Sequence, residues 1–211
     1  MIYQVLDRVI FDLVVNSEAN KELGNLTDIL ILLLSKSDDV VLKLVNERVF
    51  APQESVGKDE KNFIEMLATH SEKAVREMAS NVLLFVIGRL MQIGGDSNKE
   101  LVEKAVDSVL EQMENECQKH WQRLDTYLTF IYHLAKSSFV TLKLLVEKDI
   151  IKKLVDLMTK YNQNSLLYVQ TAPPLDKLIS TMSFIVRSIP CVVDPKDKLN
   201  ISNDAEIDQQ T

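Results

Sequence analysis

The chain has 211 residues, 46% of them apolar and 26% charged, with only five glycines and five prolines. Such a chain folds as one domain that buries on the order of 70% of its extended surface, and so little Gly and Pro beside abundant Leu, Val, Ile, Lys and Glu favours helix almost throughout. The net charge is −7, with five carboxylates from Asp194 to Asp208 against Lys196 and Lys198; this acidic balance argues against a nucleic-acid or anionic-membrane surface.

Cys117 and Cys191 are too few and too far apart for a secreted disulfide framework, so reduced thiols in the cytoplasm or nucleus are expected. The longest apolar runs, Ile29 to Leu34 and Val82 to Ile87, fall far short of the roughly 20 residues that span a bilayer. At the start, Asp7, Arg8 and Asp12 interrupt the apolar pattern, and no basic leader or cleavage site marks a signal peptide.

In chain order, Ile2 to Val15 reads as a first helix that begins abruptly, as expected of a piece of a longer protein. Gly24 is expected to stop one element and Thr27-Asp28 to cap the next, a short buried helix from Leu26 to Leu34. Helical patterns flank this segment and no partner strand exists elsewhere, so ILILLL is assigned to helix rather than strand. Asp38-Asp39 begins another helix, with carboxylates where its dipole favours them, that runs to about Arg48. Ala51 to Lys58, with Pro52 and Gly57, is a loop, and a short helix covers about Asp59 to Thr69.

Ser71 with Glu72 opens a long helix whose residues Val75, Met78, Ala79, Val82, Phe85 and Val86 keep helical spacing until Gly94-Gly95 ends it. Val82 to Ile87 is apolar on every side, which predicts the most buried helix. Asp96-Ser97 caps an amphipathic, superficial helix carrying Leu101, Val102, Ala105, Val109, Leu110 and Met113 towards His120. The next helix has an inward stripe of Trp121, Leu124, Leu128, Ile131 and Ala135. Gln122, Asp125, Thr129, His133 and Lys136 fall on its opposite face.

A short helix from Val140 to Glu147 and a longer one from Asp149 to Tyr161 follow. The longer one buries Ile150, Ile151, Leu154, Leu157, Met158 and Tyr161 and leaves Lys152, Lys153, Asp156 and Lys160 outside, a candidate protein-contact face. Asn162 to Ala172 is a long polar loop. Thr171 and Pro173-Pro174 start a last helix with the stripe Leu175, Leu178, Ile179, Met182, Ile185, Val186 and Ile189, which Pro190 ends. Residues 1–190 therefore form one helical domain, and 191–211 a polar tail expected to be disordered.

One segment recurs one hundred positions later without a gap: LSKSDDVVLKLVNERVF at Leu34 to Phe50 and LAKSSFVTLKLLVEKDI at Leu134 to Ile150. Leu34, Lys36, Ser37, Val40, Leu42, Lys43, Leu44 and Glu47 each meet the same residue type. The triplet of helices from Trp121 to Tyr161 has the long, short, long rhythm of armadillo units. The expected fold is accordingly all-α, an armadillo/HEAT-like helical-repeat superhelix, since neither copy buries its apolar face alone.

Catalytic chemistry finds little footing. Cys117 lies three residues from His120 on a helix, but two ligands make no zinc site, and neither cysteine has an oxyanion donor beside it. His70, at a helix end, reads as a residue that hydrogen-bonds carbonyls or faces solvent, His133 as a solvent-exposed residue, and Trp121 as an anchor between helices. Gly94-Gly95 lacks the Lys-Ser/Thr of a phosphate loop. The residues indicate no catalytic, cofactor or metal site.

The stretch ENECQKHWQRLDTYLTFIYHLAKSSFVTLKLLVEKDIIKKLVDLMTKYN, Glu114 to Asn162, followed by PPLDKLISTMSFIVRSIP, resembles a helical region of very large ubiquitin-specific proteases of the fat-facets type. The likeness rests on His120-Trp121, Leu154-Val155-Asp156 and Val186-Arg187-Ser188, with Glu72 to Leu90 similar to a preceding family helix. It covers Ile64 to Ile189. The family's Asn-and-Cys box and distant His box have no match here. The resemblance implies a non-catalytic scaffold belonging to a cysteine-type ubiquitin hydrolase. Its partners would be a substrate of the ubiquitin pathway or the rest of the parent enzyme, with no nucleic acid or membrane. Read from the repeat alone, a free-standing armadillo-like adaptor that binds a partner in trafficking or transport is the alternative.

Overall fold

The computed structural model describes residues 23–49, 62–117, 119–120, 123–164 and 175–189. Among them every regular element is helical: α1 (Leu23–Leu34), α2 (Asp38–Leu44), α3 (Phe63–Thr69), α4 (Lys73–Ile93), α5 (Asp96–Cys117), α6 (Leu124–Ser137), α7 (Phe139–Glu147), α8 (Ile150–Asn164) and α9 (Leu175–Ser188). The all-α expectation holds for these residues. The predicted first helix, the loop at 51–58, Trp121 and the tail from Asp194 lie outside them.

Local chemistry sets several helix ends. Asn62 caps α3 through a capping box: its side chain accepts from the Glu65 N–H at 2.8 Å, and the Glu65 carboxylate accepts from the Asn62 N–H at 3.2 Å. At the end of α4, Gly94 and Gly95 take φ of 74° and 88°, a region that only glycine enters without strain, and the Asn98 side chain donates to the Gly94 carbonyl at 2.7 Å.

Two boundaries differ from expectation. Gly24 and Thr27-Asp28 both lie inside α1, so neither the expected stop nor the expected cap falls at those residues. The segment expected to be a polar loop from Asn162 is still helical at Asn164, where the described part of it ends. In addition, α2 passes directly into a π-helical turn, Val45–Val49, which keeps both Val45 and Val49 buried.

The core centres on α4, as the all-round apolar run predicts: α1, α2, α3, α5 and α6 all pack on it. Val75, Met78, Ala79, Val82, Leu83, Val86, Ile87 and Leu90 are buried along its length. The helix α5 buries one stripe, Val102, Ala105, Val106, Val109, Leu110, Met113 and Cys117, in line with its amphipathic pattern. Beyond α6, the helices α7, α8 and α9 complete the stack, with α8 reaching back to α5 and α9 lying on α6 and α8.

The α9 stripe is only half covered. Leu178 and Ile185 are buried against α6, and Phe184 meets the Tyr132 ring edge-on at 5.3 Å, but Leu175, Ile179 and Val186 are exposed. The apolar arc on α9 is wider than the contact it makes, so sequence periodicity overstates its burial. Conversely, α6 is buried more broadly than a single stripe, because Thr126, Tyr127, Phe130 and Leu134 are enclosed as well.

Candidate functional site

The turn between α7 and α8 is locally determined. The N–H groups of Lys148 and Asp149 donate to the carbonyls of Leu144 and Val146, both at 3.0 Å, and Asp149 adopts φ 55°, a left-handed conformation that Asp tolerates better than most residues. The Asp149 carbonyl then accepts from the Lys153 N–H at 3.1 Å and starts α8. Held this way, Lys148 reaches α5, where its Nζ donates to Asp107 Oδ2 at 2.7 Å, and Lys153 Nζ donates to Glu114 Oε1.

These two ties flank a cleft of about 230 Å³. It is lined by Glu114 of α5, by Lys148 and Asp149 of the turn, and by Lys152, Lys153, Asp156 and Lys160 of α8 beside buried Leu157. The four residues singled out from sequence thus border one cleft, though not in one role. Lys153 is half-buried and engaged with Glu114, whereas Lys152, Asp156 and Lys160 are exposed and form no ion pair among the described residues. Glu114 and Lys148 could not be found from spacing, since their pairings join residues 39 and 41 positions apart.

A second polar cluster lies where α3 ends, α4 begins and α5 gives way to α6. The buried Arg76 guanidinium donates through Nη1 to the carbonyls of His70 and Ser71, each at 2.8 Å. Arg123 Nη1 donates to the Ala68 carbonyl at 3.2 Å and to the Glu116 carboxylate. Burial, and then the neighbouring Arg123, hold Arg76 below the usual arginine range. Both arginines satisfy carbonyls at the end of α3 and its following turn, a structural task.

Cys117 sits in the same region. Burial, and next the charge of Glu116, push its thiol up to about 12, so it stays protonated at neutral pH. His120, its sequence neighbour, is exposed. Tyr127 is likewise shifted upward, mainly by burial, and its hydroxyl is enclosed without a hydrogen-bond partner among the described residues. Neither the Cys117 thiol nor the Tyr127 hydroxyl is poised to exchange a proton near neutrality.

Asp125 corrects a sequence expectation. Placed on an outward face by periodicity, it instead ties three helices: Lys73 of α4 approaches it at 3.0 Å and Lys177 of α9 at 2.5 Å, and Lys177 also donates to Thr129 at 2.8 Å. Burial raises the Asp125 carboxyl, but the hydrogen bonds and charges of Lys177 and Lys73 outweigh it and leave it below the usual carboxylate range. His133 and Lys136 do face outward, as expected.

Among the described residues, no three His, Cys, Asp or Glu side chains gather as a metal ion would require. No helix among them is long and apolar enough to cross a membrane. A second cavity, of about 240 Å³, lies between α1 and α4; of its lining residues, Asp28 and Glu77 are the charged ones, and Glu77 pairs with Lys73. No protein-family model, curated protein or solved structure matches the chain.

Proposed function

We propose that the chain is a non-catalytic, armadillo-like scaffold of, or related to, a large cysteine-type deubiquitinase, which contributes to protein deubiquitination by holding a protein partner. The observation that carries the scaffold reading is the α8 cleft, where Lys152, Asp156 and Lys160 stand exposed and, among the described residues, unpaired on a helix otherwise packed against its neighbours. The matched burial of the two repeat copies supports the armadillo-like arrangement: Leu34 and Leu134, Leu44 and Leu144, and Val45 and Leu145 are buried in both. The ubiquitin connection rests on the resemblance of Glu114 to Asn162 and of Pro173 to Pro190 to the large ubiquitin-specific proteases.

The test is activity of the endogenous protein. An antibody against the exposed face of α5 precipitates it from cells, and the precipitate is assayed with a fluorogenic ubiquitin C-terminal amide. Hydrolysis that thiol alkylation abolishes is the expected result. A precipitate without such hydrolysis overturns the deubiquitinase assignment.

A further inference from the structure

We propose that the α8 cleft binds an extended peptide segment bearing an acidic, a basic and an acidic residue at alternate positions. Lys152, Asp156 and Lys160 form a plus, minus, plus ridge at i, i+4 and i+8, so their Cα atoms follow one another about 6 Å apart along the helix. In an extended chain, alternate side chains share a face and recur about every 6.6 to 6.8 Å. The two repeats agree to within about 1 Å per step, which a lysine stem absorbs. Each ridge charge therefore meets one residue of opposite sign on a passing strand.

The ridge is available because its neighbours are engaged elsewhere. Lys148 and Lys153 are neutralised by Asp107 and Glu114. Lys73 closes on Glu77 at 3.5 Å and Lys143 on Glu147 at 3.7 Å, each at i, i+4, whereas among the described residues no such pair forms along the ridge. The acidic member of the ridge is Asp156, one methylene shorter than the glutamates that close those pairs.

Asp156 also decides what the cleft refuses. A polyanion or a uniformly acidic peptide meets a carboxylate midway between the two lysines, which opposes it. An amphipathic partner helix needs a row of apolar anchors, and the cleft supplies only Leu157, itself buried. The extended, alternating-charge segment satisfies all three positions.

This inference rests on the scaffold reading and is tested apart from it, on the isolated full chain. Capped peptides containing Glu-Ser-Lys-Ser-Glu, its charge mirror Lys-Ser-Glu-Ser-Lys, and a scramble of the first are titrated into isotope-labelled protein, followed by amide shifts along α8. The expected result is about tenfold preference for the first peptide over both others, as three exposed ion pairs provide, and loss of that preference at high salt. The variant Lys152→Glu/Asp156→Lys/Lys160→Glu, whose changes all lie on the exposed ridge, should keep its helical signal and invert the preference to the mirror peptide. Equal binding of all three peptides, shifts located away from α8, or an unchanged preference in the variant overturns the proposal. None of those results touches the ubiquitin hydrolase assay, which reads the parent assignment separately.

Discussion

The two copies of the repeated segment share a sequence but not a setting. In both, a longer helix ends, serine-bearing residues turn the chain, and a short helix begins: Asp38–Leu44 in the first copy and Phe139–Glu147 in the second. Burial agrees at Leu34 and Leu134, at Val41 and Thr141, and at Val45 and Leu145. It parts at the identical pair Val40, 5% exposed, and Val140, 49% exposed. The exits part as well. The first copy widens into the π-helical turn Val45–Val49, while the second turns sharply at Asp149 and enters α8, the helix that carries the cleft. A repeat preserves the residues that face its own neighbours; what each copy presents outward is free to diverge.

The largest expected effects test where the copies agree. Leu34→Ala and Leu134→Ala should each cost about 2 to 5 kcal/mol in denaturant melts, the range for truncating a fully buried leucine. A negligible loss at either position would break the equivalence. Where the copies part, the same substitution should diverge: Val40→Ser is expected to cost about 1 to 3 kcal/mol, and Val140→Ser less than about 0.5 kcal/mol, in the same melts.

A smaller contrast concerns capping. The Ser138 hydroxyl accepts from the Thr141 N–H at 3.1 Å, whereas Ser37 precedes α2 without a side-chain cap bond. Ser138→Ala should therefore lose about 1 kcal/mol and Ser37→Ala only a few tenths, measured by thermal unfolding.

The smallest effect depends on pH and concerns the second copy, whose preceding helix α6 is tied by Asp125 to Lys73 and Lys177. The Asp125 carboxyl is lowered on folding, so its contribution is present above the unfolded value of about 4 and is lost as pH falls through the lower folded value. Lys73 is raised, chiefly by its hydrogen bond to Asp125, so its share persists below the unfolded lysine value and is lost as pH rises through the higher folded one. Amide exchange at α9 should then accelerate below about pH 4 more than exchange at α2, and Asp125→Asn should flatten that acid limb. Equal acid sensitivity at the two helices would remove the distinction.

Sequence pattern sufficed where a residue's fate depends on its own helix. The run Val82 to Ile87 announced the central helix, Gly94-Gly95 its end, and the stripe on α5 its buried side. It failed where fate depends on a distant neighbour. Asp125 looks solvent-facing until Lys177, 52 residues away, covers it, and the α9 stripe looks buried until α6 and α8 prove too narrow to cover Ile179. The cleft shows both cases. Lys152, Asp156 and Lys160 were legible as the outer face of an amphipathic helix, while Glu114, Lys148 and the left-handed Asp149 that complete it were fixed by tertiary contacts and turn geometry.

The claim that this chain holds a partner rather than cleaving one is tested most directly by its thiols. The purified chain is incubated under native conditions with a ubiquitin-based thiol-reactive probe, and Cys117 alkylation is followed with and without denaturant. The enclosed, protonated thiol predicts no probe adduct and alkylation of Cys117 only on unfolding. A ubiquitin adduct on either Cys117 or Cys191 of the folded chain would contradict the account.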